Sequence, residues 1–464
     1  MTGSAISEFL VSKGFKVSPS SISRIKQAIN ESNHVERLVS YQKLESYLKL
    51  MAEKNPGSIW RFEKEGDGTF KRACFLPSIG IRVALNARRL FGLDGAHLKG
   101  EMNNYRVFLV ATAKDFNNHI LPFAFSLVPV ENYDNWVWFL KVVREALEEC
   151  QRFTVLSDRQ KGLLLAVSEV FPLAGHRFCL RHIKSNINSK GISLTGLERG
   201  LINDMARSDC ESDYKVFEKE LERTKPAAVA YLNGIDKTHW VKYKYQEHFK
   251  LPTYGETTSN LTEQANSWIG NECRSAKPLD AFALYFRKLS ELVSGKRQMG
   301  VDWLAKRTGA ELVPQLPSER KSLVIAAELC KVTPCMEGAY NVIFLGKSKH
   351  PGFIHPWRLV DLPARECTCG NWQDKEFPCV HAVATSVKEG QALDTLYDVK
   401  RMSIDHFRET YKAAFRPWPT DVTLGTDLTI RVPPIQSDPP ELGKRGLKPG
   451  PKPKHKRKKT KSGN

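Results

Sequence analysis

The sequence Leu90-Phe-Gly-Leu-Asp94-Gly-Ala-His97 is a short apolar run that ends in an acidic residue and a glycine. A second run of this kind, Phe153-Thr-Val-Leu-Ser-Asp158-Arg-Gln-Lys-Gly162, follows further along the chain. Such runs are typical of buried β-strands, and in α/β folds functional residues gather beyond the carboxyl ends of strands. Two carboxylates presented there can share divalent cations and leave positions for phosphate oxygens. Asp94 and Asp158 are therefore candidate catalytic and magnesium-binding residues.

The segment around these two runs predicts a mixed sheet. Residues 105–114 and 120–130 are strand-like and are joined by a hairpin-like turn. Residues 132–150 have helical periodicity, and the Asp158 strand, a helix and a last short strand follow. The order β-β-β-α-β-α-β combines an antiparallel meander with crossover connections. It predicts an α/β fold with a ribonuclease-H-like catalytic core.

The rest of the chain divides by composition into further regions. The predicted division is a helical region at 1–57, the first part of the core at 58–182, a helical insertion at 183–256, helices that complete the core at 257–330, a small Cys/His-rich region at 338–395, and a Pro-rich linker with a basic disordered tail at 417–464. The first region has separate helical patterns at about 6–13, 20–30 and 41–53, and the first two fit either a DNA-reading helix-turn-helix or an ordinary helical hairpin. In the first case Arg24 and Lys26 would contact DNA.

Charge indicates the kind of partner. The chain has 464 residues and a net charge of +19, of which the last 24 residues carry +9 and the body +10. A basic body and tail favour a polyanionic partner. The run of Lys454, Lys456, Arg457, Lys458 and Lys459 is typical of a nuclear-import signal, with nonspecific phosphate contact or simple solubility as alternatives. No apolar run is long enough to predict a membrane span, and the N-terminus lacks the pattern of a secretory signal.

Two groups of cysteine and histidine residues are candidate zinc ligands. Cys367, Cys369, Cys379 and His381 offer the four ligands of a closed, structural zinc site. Cys179 and His182 are at most half of such a site. The alternatives are a buried cysteine beside a hydrogen-bonded histidine, or a histidine that touches substrate phosphate.

Several blocks of the sequence resemble Mutator-like element (MULE) transposases. They are Asp94-Gly-Ala-His-Leu-Lys-Gly100, Leu121-Pro-Phe-Ala-Phe125, Glu131-Asn-Tyr-Asp-Asn-Trp-Val-Trp-Phe-Leu140, Ser157-Asp-Arg-Gln-Lys-Gly162, Phe171-Pro-Leu-Ala-Gly-His-Arg-Phe-Cys-Leu-Arg-His182, residues 260–266 and the cluster at 367–381. The resemblance implies an Asp-Asp-Glu triad at Asp94, Asp158 and Glu263, a C-x-x-H motif after the second aspartate, and a SWIM zinc finger at the cluster. Glu247, Glu256 and Glu272 lie near the third position, and the Asn-x-x-Glu context favours Glu263.

The resemblance implies a DNA transposase. Three carboxylates with two Mg²⁺ or Mn²⁺ ions would cleave transposon ends and join them to target DNA. The expected partners are double-stranded DNA, both the terminal inverted repeats and the target, and further copies of the chain that hold two DNA ends. Lys99, Arg159 and Lys161 are candidate phosphate contacts. The alternatives are a catalytically silent, domesticated derivative that regulates transcription, and a nuclease that acts on RNA hybrids.

Overall fold

A mixed sheet of seven strands forms the centre of the computed structural model, which describes residues 3–103, 106–147, 152–306, 312–348, 350, 353–416 and 422–434. The strands are β1 Ile59–Lys64, β2 Phe70–Leu76, β3 Leu90–His97, β4 Val107–Lys114, β5 Ile120–Val128, β6 Thr154–Ser157 and β7 Gly175–Phe178. Their spatial order is β1-β2-β5-β4-β3-β6-β7. In this order, neighbouring strands from β1 to β3 pair antiparallel. Strand β3 pairs parallel with β6, and β6 pairs parallel with β7. The prediction of a mixed α/β fold is confirmed.

Helices cover both faces of this sheet. The first five are α1 Gly3–Ser12, α2 Pro19–Lys54, α3 Ser78–Asn86, α4 Tyr133–Ala146 and α5 Lys161–Val170. All eight residues of β4 are buried, as expected for a central strand with both faces covered. Successive side chains of a strand point to opposite faces, so Gly92 and Gly95 of β3 lie on different sides. A side chain at Gly92 would meet residues 261 and 262, and one at Gly95 would meet Glu131, just before α4.

A helical region follows β7. Its helices are α6 Leu180–Ser189, α7 Gly196–Arg207, α8 Glu211–Thr224, α9 Pro226–Asn233, α10 Lys242–Phe249, α11 Asn260–Ser275, α12 Pro278–Ala305 and α13 Gln315–Ala327. Helices α6 to α10 enclose an apolar core of their own, to which Leu201, Met205 and Trp240 belong. Helix α11 then returns to the central sheet. The chain therefore leaves the sheet after β7 and comes back to it beside β3.

A smaller sheet lies in the C-terminal part. Its strands are β8 Cys330–Met336, β9 Ala339–Phe344, β10 Arg358–Asp361 and β11 Glu366–Cys367, and the accompanying helices are α14 Asn371–Lys375, α15 Val380–Lys388 and α16 Ile404–Thr410. The strand order is β11-β10-β9-β8. The four Cys/His residues singled out in the sequence lie in β11, after it, and around the start of α15.

The N-terminal helices differ from the sequence expectation. Residues 20–30 and 41–53 were expected to be separate helices, but both belong to the 36-residue helix α2. No glycine or proline lies between them, so nothing in the chain ends the helix there. Ser18 caps its start, where its side chain accepts a hydrogen bond from the backbone N of Ser21 at 3.1 Å. A helix of this length differs from the short second helix that the helix-turn-helix alternative has at residues 20–30.

Part of the segment predicted as a linker packs against the body of the protein. In residues 422–434, Ile430 is 1% exposed and its carbonyl accepts a hydrogen bond from Nε2 of Gln42 at 3.4 Å. The backbone N of Arg431 donates to the carbonyl of Gly68 at 2.9 Å, in the turn between β1 and β2. Residues 435–464, with the basic run at 454–459, lie outside the described residues.

Candidate active site

Asp94 and Asp158 lie on neighbouring parallel strands of the central sheet. In the pairing of β3 with β6, Gly92 stands opposite Leu156. Each aspartate lies two positions further along the same direction. The strand register therefore brings both carboxylates to one end of the sheet. Their catalytic role stays a prediction.

Two carboxyl groups at this end have raised pKa values. Burial raises the pKa of Asp94 from 3.8 to about 6, and repulsion from Asp158 adds to the shift while His182 opposes it. Burial raises the pKa of Glu131 from 4.5 to about 7, with further repulsion from Asp158 and Asp94. Perturbed acids of this kind are typical of functional sites. Glu131 was not among the predicted site residues, because it lies in the loop between β5 and α4 and not at the end of a parallel strand.

The Asp94→Asn variant is expected to be more stable than the unaltered chain at about pH 8 without added divalent cations. The folded-state pKa of Asp94 lies above its ordinary value, so the folded chain binds the extra proton and loses stability as pH rises from about 4 to 6. The neutral amide avoids this loss, which is up to about 3 kcal/mol. Thermal unfolding between pH 4 and 8 measures the difference, which should shrink towards zero at the acidic end. An equal or lower melting temperature of the variant at pH 8 would contradict the expectation.

Helix α11 packs closely against β3 beside Asp94. A Cβ atom at Gly92 would lie only 2.5 Å from Cγ2 of Thr262, so the helix can approach because residue 92 has no side chain. From the same helix, Nδ2 of Asn266 donates a hydrogen bond to Oδ2 of Asp94 at 2.9 Å. Oδ1 of Asn266 is buried and has no hydrogen-bond partner among the described residues. The site therefore presents one unused amide oxygen next to Asp94.

Glu263, the expected third acid, lies in the first turn of α11. Its carboxylate forms an ion pair with Arg181 of α6. The Glu263 side chain is 34% exposed and that of Arg181 is 51% exposed, so the pair is open to solvent. The catalytic assignment of Glu263 stays a prediction.

Cys179 and His182 interact with each other, and His182 also interacts with the two aspartates. Sγ of Cys179 accepts hydrogen bonds from N and Oγ of Ser259, both at 3.1 Å. Burial opposes ionisation of the thiol, but His182 and Ser259 outweigh it and lower the pKa of Cys179 to about 7. Cys179, Asp158 and Asp94 raise the pKa of His182 against the effect of burial. Neither residue joins a group of three or more possible metal ligands in the described part of the chain, so zinc binding here stays a prediction.

The basic residues singled out in the sequence occupy different surroundings. Lys99 is exposed and its Nζ donates to Oδ1 of Asn271 at 2.6 Å. Arg159 is half-buried, with its guanidinium 5.8 Å from the centre of the Phe178 ring. Lys161 at the start of α5 and, on α2, Arg24 and Lys26 are also exposed. DNA contact by these residues stays a prediction.

The second cluster has the geometry of a metal centre. The ligand atoms of Cys367, Cys369, Cys379 and His381 all lie within 4.8 Å of one another, and all four residues are buried. Nδ1 of His381 is 3.7 Å from Sγ of Cys367 and 3.9 Å from Sγ of Cys379. Tetrahedral zinc holds sulfur and nitrogen ligands about 3.5–3.8 Å apart, so the residues fit Zn²⁺.

Hydrogen bonds support the thiol groups of this cluster. The backbone N of Asn371 donates to Sγ of Cys369 at 3.4 Å, and the backbone N of Ala382 donates to Sγ of Cys379 at 3.4 Å. Contacts from Cys367 and Cys379 hold the pKa of the Cys369 thiol well below its ordinary value. A thiolate is the form that binds zinc. The contact with Cys369 raises the pKa of Cys367, and burial raises that of Cys379, so a bound zinc ion would have to displace the protons of these two thiols.

Asp374 of α14 joins the cluster region to the chain that leads into α11. Asp374 is 1% exposed. Its Oδ1 accepts hydrogen bonds from N and Oγ1 of Thr253 at 2.8 and 2.6 Å and from Nε2 of Gln246 at 3.0 Å. Its Oδ2 accepts one from the backbone N of Gly255 at 3.0 Å. The Cys/His-rich region at 338–395 (the finger region) thus holds residues 253–255, just before α11.

A second acidic residue of the finger region contacts the central sheet. Glu376 accepts a hydrogen bond from the hydroxyl of Tyr254 at 2.6 Å and pairs with Arg89, directly before β3, and with Arg401. The Glu376 side chain is 17% exposed. These contacts link the metal centre to the same part of the molecule that carries Asp94.

Two family models match the chain. The MULE transposase domain matches residues 90–186, and the SWIM zinc finger matches residues 357–387. The first match includes Asp94, Asp158, Cys179 and His182, whereas Glu263 lies outside both. No curated protein matches the chain. The two domains confirm the resemblance to MULE transposases with a C-terminal SWIM zinc finger.

These domains indicate what kind of protein the chain is. A MULE transposase domain indicates an enzyme of the transposase or nuclease kind, and together with the zinc finger it indicates DNA binding. The finger and its ligand geometry support a structural zinc ion. In the described part of the chain, no helix combines the length and the apolar character that crossing a membrane requires.

Proposed function

We propose that the protein is a DNA transposase of the Mutator-like class, which cleaves transposon ends and joins them to target DNA through a ribonuclease-H-like core. The observation that carries this proposal is the β3–β6 register, which brings Asp94 and Asp158 to one end of the sheet inside the matched transposase domain. The order β5-β4-β3-β6-β7, antiparallel up to β3 and parallel beyond it, supports the ribonuclease-H-like assignment.

The donor groups at this end fit divalent cations. Asp94 and Asp158 offer the hard oxygen ligands that Mg²⁺ and Mn²⁺ prefer, and Glu263 is the predicted third carboxylate. When bound, the ions supply an activated water or 3′-hydroxyl and relieve the negative charge of the phosphate. In cleavage the water oxygen bonds to phosphorus as the 3′ oxygen leaves. In joining, a DNA 3′-hydroxyl takes the place of the water.

The chain's own basic groups are proposed to position the DNA. Lys99 and Lys161 are exposed and follow the two catalytic strands, so their ammonium groups can contact backbone phosphates. Arg24 and Lys26 on α2 are proposed as more distant contacts. The chain's net charge of +19 supports binding to a polyanion such as DNA.

Assembly and location are further parts of the proposal. A transposase must hold two DNA ends at once, which favours a homo-oligomer on DNA. The basic run at 454–459 supports import into the nucleus. The oligomer follows from the proposed reaction, and the nuclear location follows from the sequence.

The test is cleavage of labelled DNA that carries the terminal inverted repeats of the element encoding the chain. The zinc-loaded full chain should cut at the repeat ends with Mg²⁺ or Mn²⁺ and leave a scrambled duplex of equal length intact. A target plasmid in the same reaction should receive the cut ends. Ca²⁺ in place of Mg²⁺ serves as the control for metal-dependent chemistry.

Two results would oppose the proposal. Tight binding of the repeat DNA without cleavage in any of these metals would identify a domesticated DNA-binding regulator. Preferential cutting of RNA–DNA hybrids would identify a nuclease of another kind.

A further inference from the structure

Helix α10 places a buried cation beside the Cys/His cluster of the finger region. Lys242 is the first residue of this helix, and its side chain is 9% exposed. Its Nζ donates a hydrogen bond to Oδ1 of Asn371, the first residue of α14, at 2.9 Å. The same ammonium group forms an ion pair with Asp209, which lies between α7 and α8. Lys242 therefore connects helices α6–α10, which have their own apolar core, to the finger region.

Asn371 extends this contact to one of the predicted zinc ligands. Its backbone N donates to Sγ of Cys369 at 3.4 Å, and its side-chain Nδ2 donates to the same sulfur at 3.7 Å. An ammonium group can only donate hydrogen bonds, so Lys242 must face the oxygen of the amide. The NH₂ group of the amide is then left for the sulfur. Lys242 thus sets the direction in which the Asn371 side chain donates.

The zinc ligands need hydrogen-bond donors of this kind. Around Zn²⁺, three thiolates and a neutral imidazole carry one more negative charge than the ion neutralises. All four ligand residues are buried, and a buried charge is costly unless hydrogen bonds or a charge of opposite sign compensate it. The backbone and side-chain N–H groups of Asn371, with the Lys242 ammonium behind the amide, supply both kinds of compensation at Cys369.

A second buried cation crosses the same boundary in the opposite direction. Arg358, the first residue of β10, belongs to the finger region, and its side chain is 7% exposed. Its Nη2 lies 3.1 Å from Oδ2 of Asp213 on α8 and 3.7 Å from Oδ2 of Asp209. The Asp209 carboxylate is therefore shared by Lys242 and Arg358. This shared carboxylate fixes the position of Lys242 against the finger region.

We propose that Lys242 and Asn371 are positioning residues of the zinc centre, in which Lys242 orients the Asn371 amide to donate to the Cys369 thiolate. The zinc site then extends beyond its four Cys/His ligands to a lysine that lies 129 positions before Asn371 in the chain. Because coupling between two events is reciprocal, zinc binding in turn stabilises the contact of α10 with the finger region. The inference rests on the structural zinc ion and not on the proposed reaction with DNA.

The test measures the zinc dissociation constant of the full chain by competition with a colorimetric zinc chelator. Lys242→Met and Asn371→Ala should each weaken zinc binding at least about tenfold, the smaller loss known for groups that support a metal ligand. Lys244→Met is the matched control and should bind zinc as the unaltered chain does, because Lys244 lies on the same helix but pairs with Glu247 at 2.8 Å. Thermal unfolding of each zinc-loaded variant establishes that it is folded.

The double variant separates orientation of the amide from general packing. If Lys242 acts through Asn371, the double variant should bind zinc within about twofold of Asn371→Ala alone. Losses of affinity that multiply would show that the two residues act separately, and would overturn the inference. A folded Asn371→Ala protein that binds zinc as tightly as the control would also overturn it, as would an unaltered chain that binds no zinc.

Two features of the design keep the result interpretable. Asn371→Ala leaves the ion pair of Lys242 with Asp209 in place, so its effect cannot come from an unpaired buried charge. If Lys242→Met alone does not fold, Lys242→Met combined with Asp209→Asn removes both charges of the pair and takes its place. DNA cleavage enters none of these measurements, so the proposed function stands or falls separately.

Discussion

Asp158→Asn is expected to lower the rate of DNA cleavage at least about a thousandfold, the equivalent of about 4 kcal/mol in the barrier. Asp158 lies at the end of β6 opposite the Asp94 position, so its carboxylate is the one that a cation shared by β3 and β6 must contact. Asparagine keeps an acceptor for the backbone N of Gln160, which now donates to Oδ1 of Asp158 at 3.0 Å. The loop should therefore keep its shape while the site loses a charge. Single-turnover cleavage of labelled repeat DNA measures the effect.

The control for this variant is Asp67→Asn. Asp67 accepts a hydrogen bond from the backbone N of Thr69 at 2.9 Å, two residues on, in the same local arrangement. It lies in the exposed turn between β1 and β2, so its replacement should leave cleavage unchanged. If Asp158→Asn keeps more than about a tenth of the rate, the carboxylate does not hold the catalytic ion.

Cys369→Ser is expected to release zinc and to unfold the finger region. Structural zinc contributes about 10–16 kcal/mol in isolated fingers, which is as large as the whole net stability of most domains. Without the ion, α14 should lose its position, and the four hydrogen bonds that Asp374 accepts from Gln246, Thr253 and Gly255 should break. DNA cleavage should then fall although every acidic residue of the site is intact. Zinc content by mass spectrometry and the melting temperature report the change.

Cys335→Ser is the matched control. Cys335 lies in β8 of the same small sheet, is exposed, and is not part of the four-residue cluster. Its replacement should keep one zinc ion per chain and the melting temperature. A Cys369→Ser protein with full zinc content would show that the cluster is not the metal centre.

Much of the fold was accessible from local sequence patterns. The apolar runs before Asp94 and Asp158 predict strands because they are short and end in polar residues and glycine, and the structure has β3 and β6 there. The zinc ligands were also accessible, since Cys367, Cys369, Cys379 and His381 carry their chemistry in their spacing. In both cases the information lies within a few consecutive residues.

What could not be predicted depends on contacts between distant segments. Glu131 is the first residue of the block 131–140, which resembles the MULE transposases. No residue near Glu131 in the chain indicates that its side chain lies against Gly95. The only available signal was a glycine directly after the first aspartate. The continuous helix α2 was missed for a related reason, because its middle turns have little apolar periodicity and only its final turns pack against the sheet.

The return of residues 422–434 to the first strands has a consequence for biosynthesis. Gln42 and Ile430 are 388 positions apart in the chain, and their contact cannot form until the ribosome has delivered both. At about 5–20 residues per second this delay is roughly 20–80 s. During that time α2 and the β1–β2 turn lack their contacts with residues 422–434. Contacts between residues so far apart in the chain slow folding. Residues 422–434 therefore join the fold only after residues 1–421 have been synthesised.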